Sequence, residues 1–143
     1  MPYEFLEDVA TADIAFEATG RNLEELFISA AQATTNVMIR DLKQICKKKM
    51  KQITVESEEL DFLLFDFLQE IIYYKDAELL LFGEYYVKIT KEEDLYKLQA
   101  DVYGEELEGQ RHELVVDVKA VTMHQFEVRK TDDGWMARVL LDI

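Results

Sequence analysis

The sequence predicts an α+β fold, a mostly antiparallel sheet packed with two main helices, and three observations lead there. Two runs, one opening at Asn22 and one over 58–76, carry apolar residues at helical spacing. The second half of the chain is a series of strand-like runs punctuated by Gly83, Gly104, Gly109 and Asp133-Gly134. The helical runs do not alternate one for one with strands, as a parallel sheet would demand. With 143 residues, 49% of them hydrophobic, the chain is expected to form one domain over 1–143. At that length roughly 68–70% of the unfolded surface is buried.

Each element has its own signal. From Asp13, IAFEAT alternates with Ile14, Phe16 and Ala18 on one side, a strand closed by Gly20. Asn22 followed by Glu25 is an N-cap with a capping-box-like partner. Leu23, Leu26, Phe27, Ala30, Ala31, Thr34, Val37 and Met38 then make the stripe of a helix that packs on a sheet. Ile53 and Val55 mark a short strand. The run EELDFLLFDFLQEIIYYKD behind Ser57 is a second helix, whose face of Leu60, Leu63, Leu64, Phe67, Leu68, Ile71 and Ile72 is widened by Phe62, Phe65, Tyr73 and Tyr74. Such a helix is covered on more than one side, by its own domain or by a partner. Strands are expected around 79–90, 95–103, 113–121, 123–130 and 135–141. Asp133-Gly134 supplies the positive φ angles of a primed hairpin turn between the last two.

Composition excludes several classes. The single cysteine, Cys46, allows neither an internal disulfide framework nor a cysteine zinc cluster, and reads as an ordinary thiol in a reducing compartment. The start, MPYEFLED, lacks the features of a secretory signal, and no apolar stretch approaches the ~20 residues of a membrane span, so a cytoplasmic protein is expected. No phosphate-binding glycine loop and no Gly-x-Ser-x-Gly elbow occurs. Two histidines, His112 and His124, do not furnish a His-rich zinc site and read as surface or capping residues.

A net charge of −14 repels nucleic acid from most of the surface. The exception is Arg40 to Lys51. Arg40, Lys43, Lys47, Lys48, Lys49 and Lys51 stand there against Asp41 alone, a local charge of +5. Either the segment is a solvated connection between helix and strand, or it meets an acidic or phosphate-bearing partner.

Oxygen ligands are the remaining chemistry. The chain ends on LLDI, with Trp135, Ala137, Val139 and Leu141 on one alternating face up to the end. A frayed tail is usually polar, so this end is expected to be held. Asp13 heads its own strand. If the two strands are neighbours, Asp13, Asp142 and the Ile143 terminus present three oxygen groups suited to Ca²⁺, Mg²⁺ or Mn²⁺. Otherwise Asp13 caps a turn and Asp142 pairs with a lysine. In HELVVDVKAVTMH, Lys119 falls with Glu113, Val115, Asp117 and Val121 on a half-apolar face. It is there either as a cross-strand ion pair or as a contact for a partner's carboxylate or phosphate.

Several segments together resemble the archease family, in order and over nearly the whole chain: YEFLEDVATADIAFEATG, NLEELFISAA, DFLLFDFLQEIIYYKDAELLLF, HELVVDVKAVTMHQFEV and the closing VLLDI. The start departs from the His-Thr-Ala-Asp form of many members, because Val9 and Ala10 stand where that histidine is expected, and its role is not carried over. The resemblance implies a non-enzymatic protein cofactor of the RtcB-type RNA ligase of tRNA splicing, which uses GTP and Mn²⁺ to guanylylate its own histidine. Promotion of that step, repeated turnover and broader nucleotide use are implied with it. The resemblance also matches a metal site to Asp13, Asp142 and Ile143 and makes Lys119 a partner contact, with RNA met only through the ligase. Two other classes stay open on the residues alone. One is a metal-dependent phosphoester hydrolase using the two aspartates, and the other is an RNA-binding module built on Lys43 to Lys51.

Overall fold

The computed structural model describes residues 2–6, 13–107 and 115–143. In chain order the elements are β1 (Tyr3–Leu6), β2 (Asp13–Gly20), α1 (Leu23–Met38), a 3₁₀ turn (Leu42–Gln44), β3 (Lys49–Ser57), α2 (Leu60–Glu78), β4 (Leu80–Glu92), β5 (Leu95–Glu106), β6 (Ala120–Thr131) and β7 (Gly134–Asp142). The α+β class and its two helices are as expected. The sheet, however, is divided in two, one ordered β1-β2-β7-β6 and the other β3-β5-β4, with every described pairing antiparallel.

Both helices bridge the two sheets. α1 rests on β2 and β4, α2 on β3, β4 and β6, and the helices meet where Phe27 stacks on Phe67 at 6.2 Å between ring centroids. Phe16, Phe27, Phe67, Phe82, Leu26, Leu63, Leu64 and Leu68 are fully buried there. The α1 cap forms as its sequence signals, Asn22 Oδ1 accepting the Glu25 amide at 2.9 Å. Of the aromatic residues that widen α2, Phe65 packs edge-on to Phe126 and Tyr74 to Phe82. Phe62 and Tyr73 stay exposed.

Four local expectations are corrected. Strand β1 has no counterpart in the sequence reading, because four residues with their middle pair exposed give too little alternation to register. Strand β3 is nine residues, longer than the Ile53–Val55 signal, since pairing with β5 extends it into the lysine-rich segment. No strand runs through 115–119. The polar groups of that stretch bond elsewhere, and β6 is one strand from Ala120 with an irregular register between Thr122 and Glu127 and a positive φ at Gln125. Gly109, His112, Glu113 and Leu114 lie outside the described residues. The β6–β7 hairpin forms, but its two-residue loop is Asp132-Asp133, and the positive φ falls on the following Gly134. A Cβ on Gly134 would lie 2.2 Å from the Gly20 carbonyl oxygen, so close approach as well as conformation requires glycine.

Candidate functional site

The four-stranded sheet decides how the end of the chain sits. β7 lies between β2 and β6, so each residue of its last turn of pleat has a neighbour on both sides. Asp142 is directly opposite Asp13 on β2 and opposite Ala120 on β6. Directly opposed residues in an antiparallel pair project from the same face with Cβ atoms roughly 4.5–5.5 Å apart. Asp13 and Asp142 are therefore brought together on one face at the sheet's end, and both are half-buried, as is Ile143. The end of β7 is held as well: the Lys119 amide donates to the Asp142 carbonyl at 2.8 Å.

Two carboxylates in register repel each other, and partial burial strengthens the repulsion. Among the described residues no lysine, arginine or histidine pairs with either one. The arrangement fits a hard divalent cation in donor type, charge and register. Described side chains supply two of the ligands, short of a three-residue His/Cys/Asp/Glu cluster.

Lys119 falls on the side that its spacing predicts, with Val115 and Asp117, but that side faces solvent. Val118 is fully buried, but Lys119 is exposed and, among the described residues, pairs with no carboxylate. It is not the partly desolvated amine set among valines that the alternation suggested: Val116 and Val118 turn inward and Val115, Asp117 and Lys119 outward as spaced, but the outward side meets solvent, Val115 itself being 50% exposed. The buried lysine is Lys75, on α2, only 6% exposed. Its ammonium bonds to Asp117, Asp76 and the Val118 carbonyl. Burial pushes its pKa down, but the two carboxylates outweigh that and hold it above the usual lysine value. The sequence carried a signal for it: Lys75 follows Leu64, Leu68, Ile71 and Ile72 at the spacing of the apolar stripe.

The basic segment is largely neutralised within the fold. Lys47 pairs with Glu84 at 2.6 Å, Lys48 with Glu105 at 3.7 Å, Lys49 with Glu106 at 2.7 Å and Lys51 with Glu78 at 3.0 Å. Lys47 also lies 5.9 Å from the ring centroids of both Tyr86 and Tyr103. Glu84 is held below its usual range by its hydrogen bonds from Lys47 and Tyr86. Cys46 and His124 are exposed, and His112 lies outside the described residues.

Comparison with known proteins agrees with this architecture. The sequence model of the archease protein family matches residues 3–143. Protein archease of Pyrococcus abyssi is 41% identical over 134 residues, covering 93% of this chain and 94% of its own. Protein archease of Methanosarcina barkeri is 39% identical over 142 residues, 99% of this chain and 95% of its own. The solution structure of Methanobacterium thermoautotrophicum protein 1598 superposes with a TM-score of 0.87 at 37% identity, covering 99% of both chains. The crystal structure from Thermotoga maritima described as an archease and possible chaperone superposes with a TM-score of 0.61 at 21% identity, covering 94% of this chain and 93% of its own, a likeness of fold. With a family match across the chain and relatives at about 40% identity, the protein belongs to the archease family.

Proposed function

We propose that this archease-family protein is an activator of an RtcB-type RNA ligase, promoting its guanylylation and repeated turnover and broadening its nucleotide use, and that its working end is the Asp13, Asp142 and Ile143 tip. The observation that carries the reading is the register of Asp13 against Asp142, an acidic pair without a described counter-charge at the end of a sheet. In this reading a divalent cation, when bound, supplies positive charge that draws phosphate oxygens towards the tip. The two aspartates hold the ion and fix its position, because each is anchored in a ladder. Lys119, exposed and adjacent to the Asp142 backbone, offers a cation to a phosphate or carboxylate of the partner. The protein is a cofactor of the ligase, acts in the cytoplasm and meets RNA through the ligase. No described helix is long and apolar enough to cross a membrane.

Activation requires that the tip bind the guanylylation-ready ligase more tightly than the resting one, since equal affinity for both shifts no population. The RNA-binding alternative loses its main support, for Lys47, Lys48, Lys49 and Lys51 each face a glutamate and present little net charge to a phosphate backbone. The direct test is ligase guanylylation with labelled GTP in the presence of wild type or Asp13→Ala. Stimulation by wild type alone supports the reading, and equal stimulation by both removes the tip from it.

A further inference from the structure

Helix α2 reaches the tip without touching it. Residues 115–119 belong to no strand, yet they deliver the amide that grips Asp142, so something other than a ladder must place them. Two side chains of α2 do so. Lys75 donates to the Asp117 carboxylate and, at 2.8 Å, to the Val118 carbonyl. Gln69, on the same helix, accepts the Val121 amide through Oε1 at 2.8 Å. These contacts bracket the Lys119 amide, which donates to the Asp142 carbonyl, and Ala120, the ladder partner of Asp142. At the far end of the stretch the Val115 amide donates to the Met38 carbonyl of α1.

The chemistry of Lys75 singles it out. An ammonium has three donors, and here all three are used, on Asp117, Asp76 and Val118. An apolar side chain of similar volume would fill the same space without desolvating a charge, so packing does not require a lysine. What an apolar residue cannot do is fix one register of 117–119 against the helix. A shift of 117–119 along the helix would withdraw the Lys119 amide from the Asp142 carbonyl.

Resting on the reading of the tip given above, we propose that Lys75 and Gln69 are positioning residues that clamp 117–121 to α2 and thereby set the geometry of the Asp13–Asp142 cation site. Second-sphere groups of this kind typically carry about a 10–100-fold effect on metal affinity.

The test uses the full chain and Mn²⁺ alone, with Lys75→Met, Gln69→Leu and Asp117→Asn. Asp117 has a side chain 70% exposed, so Asp117→Asn loosens the clamp from outside and keeps the fold if Lys75→Met does not. The readouts are Mn²⁺ affinity by calorimetry and amide hydrogen exchange by NMR. The expected result is about tenfold faster exchange at the Lys119 amide, with Leu68 and Val139 still protected, and about tenfold weaker Mn²⁺ binding. Unchanged exchange at Lys119 and unchanged affinity in the variants overturn the clamp. Wild type that binds no Mn²⁺ overturns the cation site instead, and the proposal with it, while Lys119 exchange shows separately whether the clamp holds the strand end.

Discussion

Asp13 lies directly across the β2–β7 ladder from Asp142, a position where antiparallel sheets favour opposite charges or apolar pairs. The pair costs stability unless something positive joins it. Adding Mn²⁺ or Ca²⁺ to chelator-treated protein is therefore expected to raise its melting temperature. At ligand concentrations of about 100 times Kd the stabilisation is about 2.7 kcal/mol. Asp13→Asn should abolish that response and make the metal-free protein more stable by roughly 0.2–1 kcal/mol. Calorimetric melts with cation and with chelator read both effects, and a wild-type melt indifferent to cations contradicts the site.

Gly104 is where β4 and β5 approach too closely for any side chain. A Cβ there would lie 1.8 Å from the Leu81 carbonyl oxygen, next to the β4 bulge at Phe82 and Glu84. The obstacle is backbone and cannot turn aside. Gly104→Ala is expected to destabilise by about 3 kcal/mol, measured by urea unfolding.

Tyr85 joins α1 to β4. Its hydroxyl donates to the Phe82 carbonyl at 2.8 Å and bonds to the Thr35 hydroxyl, all of it buried. Tyr85→Phe leaves both unpartnered and should cost about 1–3 kcal/mol in denaturant unfolding. Burial raises the Tyr85 pKa far above the tyrosine range despite the Thr35 bond. A raised folded pKa means the contribution is complete below the ordinary tyrosine pKa of about 10 and is lost as pH rises beyond it. Part of the alkaline destabilisation should therefore vanish in Tyr85→Phe.

Asp61, in the first turn of α2, acts in the same direction at lower pH. Burial raises its pKa, against a hydrogen bond from the Val128 amide and with help from Glu59 and Glu127. Folding therefore favours its protonated form, and stability falls as pH rises through the carboxylate range. Asp61→Asn keeps an acceptor for Val128 without the charge. It should stabilise by roughly a few tenths of a kcal/mol at pH 7 and make no difference near pH 3, followed by thermal melts across that range.

The two strand ends were legible in the sequence because each is a local signal, whereas their adjacency was left open there and comes from the β2–β7 register. Asp13 opens an alternating run and Asp142 closes another, with period-two patterning carried to residue 142. What was hidden depends on contacts across the fold. The glutamates that neutralise Lys47, Lys48, Lys49 and Lys51 lie on α2, β4 and β5, more than 25 residues away, and no local spacing connects them. The surroundings of Lys119 were misjudged because the valines beside it suggested a half-apolar face, whereas Val115 on that face is itself exposed. Lys75 left a trace, a charge on an apolar helical stripe, but its partners Asp117 and Val118 emerge only when α2 meets 115–119.

Under the proposed function, the Asp13–Asp142 end of this archease-family protein activates an RNA ligase. That role is read out by the rate of guanylylation of an RtcB-type ligase with labelled GTP and Mn²⁺, alone, with this protein, and with its folded Asp13→Ala variant. Faster labelling and repeated turnover are expected with wild type, and the unstimulated rate with Asp13→Ala. Labelling that ignores the wild-type protein, or responds equally to both, would contradict it.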